Sequence, residues 1–359
     1  MKDLTLLMEK WRIENFYIYL LMKANFEGGL RMRIAIDAMG GDFAPKEIVL
    51  GAVEGAMEYG VEAILVGDEK QIYTYLKDCP KTELIKVRHA SEVIEMGESP
   101  SKGVRKKKDA SIVVSAQLVG EGEADAMVSA GNTGAAVAAC LFKIGRIPGV
   151  ERPAVATLWP GIYGTVIMLD AGANKDCKPE FLLQFALMGD LLAKTAYNIE
   201  KPKIGLLNIG EESTKGNDLT LKAYKLLSKA DINFIGNVEG TELLFNKANV
   251  VVCDGFTGNM VLKTGEGVAN FIVTLLKQEA VKIWSDKNFS EEFKTIMSKA
   301  QKRLDYTEHG GAPLVGINGI CIITHGRAIA KTIKNAIKMA MEFVKSGVVK
   351  EISCKFHVE

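Results

Sequence analysis

The stretch Ala126-Met127-Val128-Ser129-Ala130-Gly131-Asn132-Thr133-Gly134, followed by small residues from Ala135 to Cys140, admits few folds. It reads as a buried strand, a tight glycine turn and the start of a helix. Gly131 and Gly134 let the backbone approach a ligand closely, and Asn132 or Thr133 serves as the N-cap. The N–H groups of the first helical turn are left facing outward, which makes such a turn a ready anion site. One turn of this kind is only a strand-to-helix connection. Its recurrence along the chain is what constrains the fold.

From Met32 onward apolar strands alternate with amphipathic helices, which predicts a largely parallel sheet covered by helices on both faces. Strands are expected at Ile34–Asp37, Ala63–Val66, Ile85–Arg88, Ala126–Val128, Pro153–Ala156, Val166–Asp170, Ile204–Gly210, Ile232–Asn237, Val250–Asp254 and Ile320–Ile323. Several end in small polar turns, such as Gly40-Gly41-Asp42, Ala171-Gly172-Ala173-Asn174 and Gly255-Phe256-Thr257-Gly258-Asn259. The last is the closest echo of the Gly131 turn. Open α/β sheets bind ligands at the carboxyl ends of such strands. A helical stretch over 260–304, broken near Ser285–Asn288, interrupts the alternation and reads as an insertion into one α/β domain spanning 32–359. Trp284 and Phe289 beside that break suit docking on a membrane or a second subunit, or packing in the core. Residues 1–31 do not share the pattern, and the native start is expected at Met32.

Charge and cysteine usage exclude several functions. Lys and Arg number 45 against 44 Asp and Glu, so no global field favours nucleic acid. Six scattered cysteines without a CxxC pair read as reduced structural thiols in a cytoplasmic protein. The four histidines have no paired spacing, so no metal site is expected. There is no G-x-x-x-x-G-K-[ST] loop and no G-x-S-x-G elbow. The Gly131 turn lacks G-x-G-x-x-G spacing, leaving a nicotinamide dehydrogenase as an alternative on fold alone. A membrane-associated scaffold is the non-enzymatic alternative.

What remains is a set of glycine and asparagine loops with a few cations, a site that binds an oxyanion without metal or cofactor. It suits a reaction in which phosphate is the nucleophile, because phosphate needs positioning rather than a strong base. Lys215, at a glycine-flanked helix entry, can reach a bound anion, and the Asn259 amide can stabilise an oxyanion on an attacked carbonyl. His325 directly follows a strand. Arg105, Lys106, Lys107 and Lys108 form a basic run that reads as a solvated helix face or as a dock for an acidic partner.

Taken together and in order, Asp37-Ala38-Met39-Gly40-Gly41-Asp42, Ser129–Gly134, Asp170–Asn174, Lys178-Pro179-Glu180, Asn208-Ile209-Gly210, Lys215-Gly216-Asn217, Phe234–Glu239, Asp254–Asn259 and Gly310-Gly311-Ala312 resemble the PlsX phosphate acyltransferase family of bacterial phospholipid synthesis. The resemblance implies a doubly wound, three-layer Rossmann-like fold similar to isopropylmalate dehydrogenase. It implies conversion of acyl-[acyl-carrier-protein] and inorganic phosphate to acyl phosphate, which feeds a membrane glycerol-3-phosphate acyltransferase. A homodimer with peripheral membrane contact is implied too. Lys215 and Asn259 match the family's catalytic lysine and asparagine. Phosphate and substrate contacts are expected from Gly40, Gly41, Asp42, Gly131, Asn132, Thr133, Asn174, Lys178, Asn217, Asp254, Thr257 and His325. The basic run gains the acidic carrier protein as a candidate partner. Phe181 and His309 depart from the family pattern, and neither is expected in the chemistry.

Overall fold

Strand alternation is visible in the core. In the computed structural model, which describes residues 31–283, 291–304 and 310–357, Ile34 and Ile36 of β1 (Arg33–Asp37) pack into one apolar layer and Ala35 into the other. Ala126 and Val128 of β4 (Ala126–Ser129) divide from Met127 in the same way. So do Val250 and Val252 of β9 (Val250–Val252) from Val251. Period-2 side chains buried on both faces define a sheet covered on both sides. The remaining strands are β2 (Glu62–Gly67), β3 (Ile85–His89), β5 (Ala154–Gly161), β6 (Gly164–Leu169), β7 (Ile204–Asn208), β8 (Phe234–Glu239), β10 (Ala312–Val315) and β11 (Cys321–Ile323). They form one sheet in the order β3-β2-β1-β4-β11-β10-β5-β6-β9-β7-β8.

The sheet is largely parallel, as expected, with seven parallel pairings, but three antiparallel pairings at its centre make it mixed. One block, β3-β2-β1-β4-β11, is parallel throughout, and so is the other, β6-β9-β7-β8. Between them β10 and β5 are antiparallel to both of their neighbours, so the two blocks run in opposite directions. The strand β10 was hidden in a segment that reads as a glycine loop, Gly310 to Gly316. The hairpin β5–β6 escaped because Pro160 and Gly161 look like a strand end.

Register then brings the two blocks to a common level. Ala312 and Pro313 pair with Ile323 and Ile322, while Leu314 and Val315 pair with Val155 and Ala154. Strand β5 therefore starts low beside β10 and climbs past the end of the first block. Descending β6 pairs its Leu169 with Ala156, level with Pro313. Asp37, Ser129 and Ile323 share one register position, so both blocks end their strands at the same seam. The carboxyl ends approach that seam from opposite directions.

Helices cover the sheet. Apolar residues of α1 (Lys46–Tyr59), α6 (Pro179–Thr195), α7 (Asp218–Leu227), α10 (Ala330–Ser346) and α11 (Val348–Phe356) pack on one face. Those of α3 (Pro100–Lys106), α4 (Ser111–Gly120) and α5 (Thr133–Lys143) pack on the other. Helix α2 (Glu69–Leu76) is capped by Asp68, whose carboxylate accepts from the Gln71 N–H at 3.0 Å. Helix α8 (Gly255–Ile283) and helix α9 (Glu291–Leu304) fall where the helical stretch over 260–304 is expected, but α8 starts at Gly255 rather than Met260. The Gly255–Asn259 echo of the Gly131 turn is thus the first turns of a helix. Trp284, Phe289, residues 1–30 and His309 lie outside the described residues.

Candidate active site

Each block ends in a buried aspartate that ties its turn. Asp37, at the end of β1, accepts hydrogen bonds from Ser111 Oγ at 2.6 Å and Ser129 Oγ at 2.7 Å. Ser129 Oγ in turn accepts from the Gly131 N–H at 3.1 Å, so β1, α4 and the Gly131 turn are pinned to one carboxylate. Asp170, just after β6, accepts from the backbone N–H groups of Val155, Gly172, Ala173 and Asn174 at 2.6–3.1 Å, and from Asn174 Nδ2 at 2.9 Å. Burial pushes both carboxyls above the usual aspartate range, and these hydrogen bonds pull them back.

Asp170 also anchors the helix that carries Asn259. The Asn174 carbonyl accepts from the Gly255 N–H at 2.8 Å, and the Asp170 carbonyl lies where a Cβ at Gly258 would fall. Only glycine at 258 lets α8 come down onto the strand end. Asn259 then sits over Gly172, whose absent Cβ would be 3.7 Å from Asn259 Cβ and Cγ.

Between the two turns opens a cleft of about 1000 Å³. The first block contributes Asp42, Thr133, Gly134, Thr324, His325 and Arg327. From the second come Gly172, Asn259 and Lys263, and β5 supplies a wall from Val155 to Pro160. Of the residues singled out in the sequence, Asp42, Thr133, Asn259 and His325 therefore meet in one cavity. Gly41, with φ +105°, lies against the Gly326 carbonyl behind it, and that carbonyl accepts from the Asp42 N–H at 2.7 Å. Gly40 and Gly131 lie against the Asp37 carboxylate.

The other expected ligands are engaged in structure. Asn132 caps α5 by accepting from the Ala135 N–H at 3.1 Å and donates through Nδ2 to the Met96 carbonyl at 2.9 Å. Asn174 donates to the Pro153 carbonyl at 2.7 Å. Asp254 caps α8, accepting from the Thr257 N–H and Oγ at 2.9 and 2.7 Å. Asn217 closes a capping box with Thr220 at the start of α7. Lys178 lies 6.0 Å from the ring centroid of buried Phe181. Lys215 is exposed on the loop after β7, where its carbonyl accepts from Asn208 Nδ2 at 3.0 Å; neither lysine lines the cleft.

Three groups in the cleft escaped the sequence reading. Lys263 stands four residues after Asn259 on α8, hence on the same face. That spacing is readable only if the helix begins at Gly255. Its Nζ pairs with Glu266 at 3.0 Å. Arg327 and Thr324 flank His325, and the buried Thr324 hydroxyl has no hydrogen-bond partner. His325 Nδ1 accepts from the Arg327 N–H at 3.1 Å, which places the proton of the neutral ring on Nε2. Burial, then the Lys263 and Arg327 charges, push its pKa below the ordinary histidine value. At neutral pH the ring is an uncharged donor.

Neither thiol beside Asp170 is poised as a nucleophile. Burial, with Asp170 nearby, pushes the Cys177 thiol up to about 12, and burial drives Cys253 well above its ordinary value. No cluster of His, Cys, Asp or Glu suited to a metal ion occurs among the described residues.

Comparison with known proteins bears on these features. The family described as fatty acid synthesis protein matches residues 32–351. A phosphate acyltransferase of Pelotomaculum thermopropionicum is 52% identical over 321 residues, covering 89% of this chain and 94% of the relative. One from Desulforamulus reducens is 50% identical, with 89% and 96% covered. Among solved structures, a phosphotransacetylase from Streptococcus pyogenes superposes with a TM-score of 0.58 at 17% identity, covering 88% of this chain and 94% of that one. This last likeness is one of fold: a Rossmann-like α/β sheet.

Proposed function

The chain belongs to the PlsX family of phosphate acyltransferases, and from that membership together with the cleft we propose that it transfers an acyl group from acyl-[acyl-carrier-protein] to inorganic phosphate. The observation that carries the reading is the meeting of the α5 N-terminus, Asn259, Lys263, His325 and Arg327 in one cavity. Phosphate sits against the Thr133 and Gly134 N–H groups, which the helix leaves without internal partners. Lys263 and Arg327 supply charge, and His325 donates through Nε2. The Asn259 amide donates to the thioester carbonyl oxygen, where negative charge develops on attack.

A phosphate oxygen adds to the carbonyl carbon, and the tetrahedral intermediate collapses with loss of the C–S bond. The thiolate leaves with the carrier protein and takes a proton from solvent. Phosphate is already an anion at neutral pH, so no base is required, and the raised thiols argue against an acyl-cysteine intermediate. We assign Lys215 the part of a loop-borne cation that attracts the anion, secondary to Lys263. Gly40, Gly41, Gly131, Asn132, Asn174, Asn217, Asp254 and Thr257 shape the turns around the bound substrate. Lys178 is assigned no direct contact.

The partners follow from surfaces. Lys107 is engaged by Glu98 at 2.5 Å, which leaves Arg105, Lys106 and Lys108 exposed as the face for acidic carrier protein. Phe256 and Phe271 of α8 are 63% and 64% exposed, alongside Met260 and Leu275, and a second copy of the chain covers this stripe in a homodimer. No described helix is long and apolar enough to cross a membrane. The apolar product passes from this cytoplasmic enzyme, peripherally attached, to a membrane glycerol-3-phosphate acyltransferase.

The test supplies purified protein with acyl-[acyl-carrier-protein], with and without phosphate, and follows free carrier thiol and hydroxylamine-trappable acyl phosphate. Both products are expected only with phosphate. Carrier binding without either product would favour a scaffold and remove the reaction.

A further inference from the structure

The cleft is larger than its polar end needs. A volume of about 1000 Å³ corresponds to roughly thirty water molecules, whereas a phosphate and one carbonyl group fill only a small part of it. Beyond Asn259 and Lys263 the lining turns apolar: Leu158 and Trp159 from β5, Leu244 from the 3-10 turn after β8, and Val268, Ala269 and Ile272 from α8. These three helical residues share the face of Gly265, turned more than a quarter turn around the helix from Asn259 and Lys263, and line the same cavity. Asn259 and Ile272 are thirteen residues apart in the helix, about 20 Å at 1.5 Å per residue. Val268 and Ile272 are about half exposed although they line the cavity.

We propose that this apolar arm holds the acyl chain of the donor and that Trp159 is the wall that sets which chain lengths fit. The inference rests on the acyl-transfer reading above. Its continuity with the carbonyl site in one cavity commits it to one occupant, the chain attached to the carbon held at Asn259. Trp159 is fixed by packing alone, since its buried Nε1–H has no hydrogen-bond partner. The packing comes from α8, where Gly265 lies so close to the indole that a Cβ there would overlap the ring. A glycine at this point of the helix lets the aromatic wall and the helical wall meet, and the space left beside them is the arm.

The experiment compares octanoyl and hexadecanoyl donors on carrier protein and reads the ratio of their kcat/KM values in wild type, Ala269→Phe and Trp159→Phe. Each buried methylene is worth about a fourfold change, so filling the arm with Ala269→Phe lowers the hexadecanoyl-to-octanoyl ratio by about tenfold or more. Trp159→Phe, which removes ring bulk, raises the relative use of octadecanoyl donor. A second measurement does not depend on either variant folding. In Trp11→Phe/Trp284→Phe protein, Trp159 is the one tryptophan left, and a hexadecanoyl donor brominated along its chain is expected to quench its emission saturably. Unchanged ratios together with no quenching, in protein that still makes acyl phosphate, overturn the arm. So does a loss equal for all chain lengths that tracks loss of the dimer. Absence of acyl phosphate from every donor with wild type overturns instead the reaction on which the arm rests.

Discussion

The ends of β1 and β6 solve the same problem with different partners. Each places one buried aspartate under a ligand turn, but Asp37 is held by two serine hydroxyls beside the Met39 and Gly40 N–H groups, and Asp170 mainly by backbone N–H groups. A hydroxyl both donates and accepts, whereas an N–H only donates. The serine half of the first arrangement can therefore re-pair if the carboxylate changes, and the second arrangement cannot. The first ties neighbouring elements together. The second draws the path of its own loop and, through Gly255 and Gly258, seats the helix that bears Asn259 and Lys263.

The contrast is broken most directly by amides. Asp170→Asn aims an NH2 group at N–H donors and leaves some of them unsatisfied, at about 1–3 kcal/mol each. A loss of about 3–5 kcal/mol in urea denaturation is expected, and a loss under about 1 kcal/mol would show that the loop finds other acceptors. Next in size, Asn259→Ala should lower kcat by about a hundredfold with folding intact, as removal of an oxyanion donor does. Full kcat would take Asn259 out of the chemistry.

The two lysines sharpen the same comparison between the seam and its surroundings. Lys263→Ala is expected to raise the KM for phosphate about tenfold, and Lys215→Ala less than half as much, because a screened exposed charge is worth little. The reverse order would return the principal role to the loop after β7. Asp37→Asn should cost less than Asp170→Asn, about 1–2 kcal/mol, since both serines can re-pair and only the Met39 and Gly40 N–H groups cannot. Its pH dependence has a definite sign. The folded pKa of Asp37 is raised above its ordinary 3.8, so the folded state binds its proton first. Wild type therefore gains stability relative to Asp37→Asn as pH falls through the folded pKa, and the gain is complete by about pH 3.8. A difference that stays flat over that range would show that Asp37 titrates alike folded and unfolded.

Much of the fold was legible in residues. The short apolar runs around Ile34-Ala35-Ile36 and Val250-Val251-Val252, each bounded by turn residues, read as strands buried on both faces, and Asn132 announces the cap it makes. The direction of the blocks was not legible, because β10 has four residues and is bordered by Gly311 and Gly316, so pairing partners far away in sequence decide that it is a strand. The same holds at the site. Asn259 and His325 stood out by their position after strands, while Lys263 and Arg327 look in sequence like any surface cation.

The sequence by itself determined the α/β architecture, the cap and turn chemistry at several strand ends, and the family, because these depend on residues near one another in the chain. Only the tertiary structure decided which of those turns share a cavity. That outcome rests on the offset by which β10 pairs upward with β11 and downward with β5, a long-range register that brings two opposed sets of carboxyl ends to one seam. It also settled which polar side chains are free to meet a substrate. Asn132, Asn174, Asp254 and Asn217 are each occupied by a backbone or side-chain partner that becomes visible only when the chain is folded.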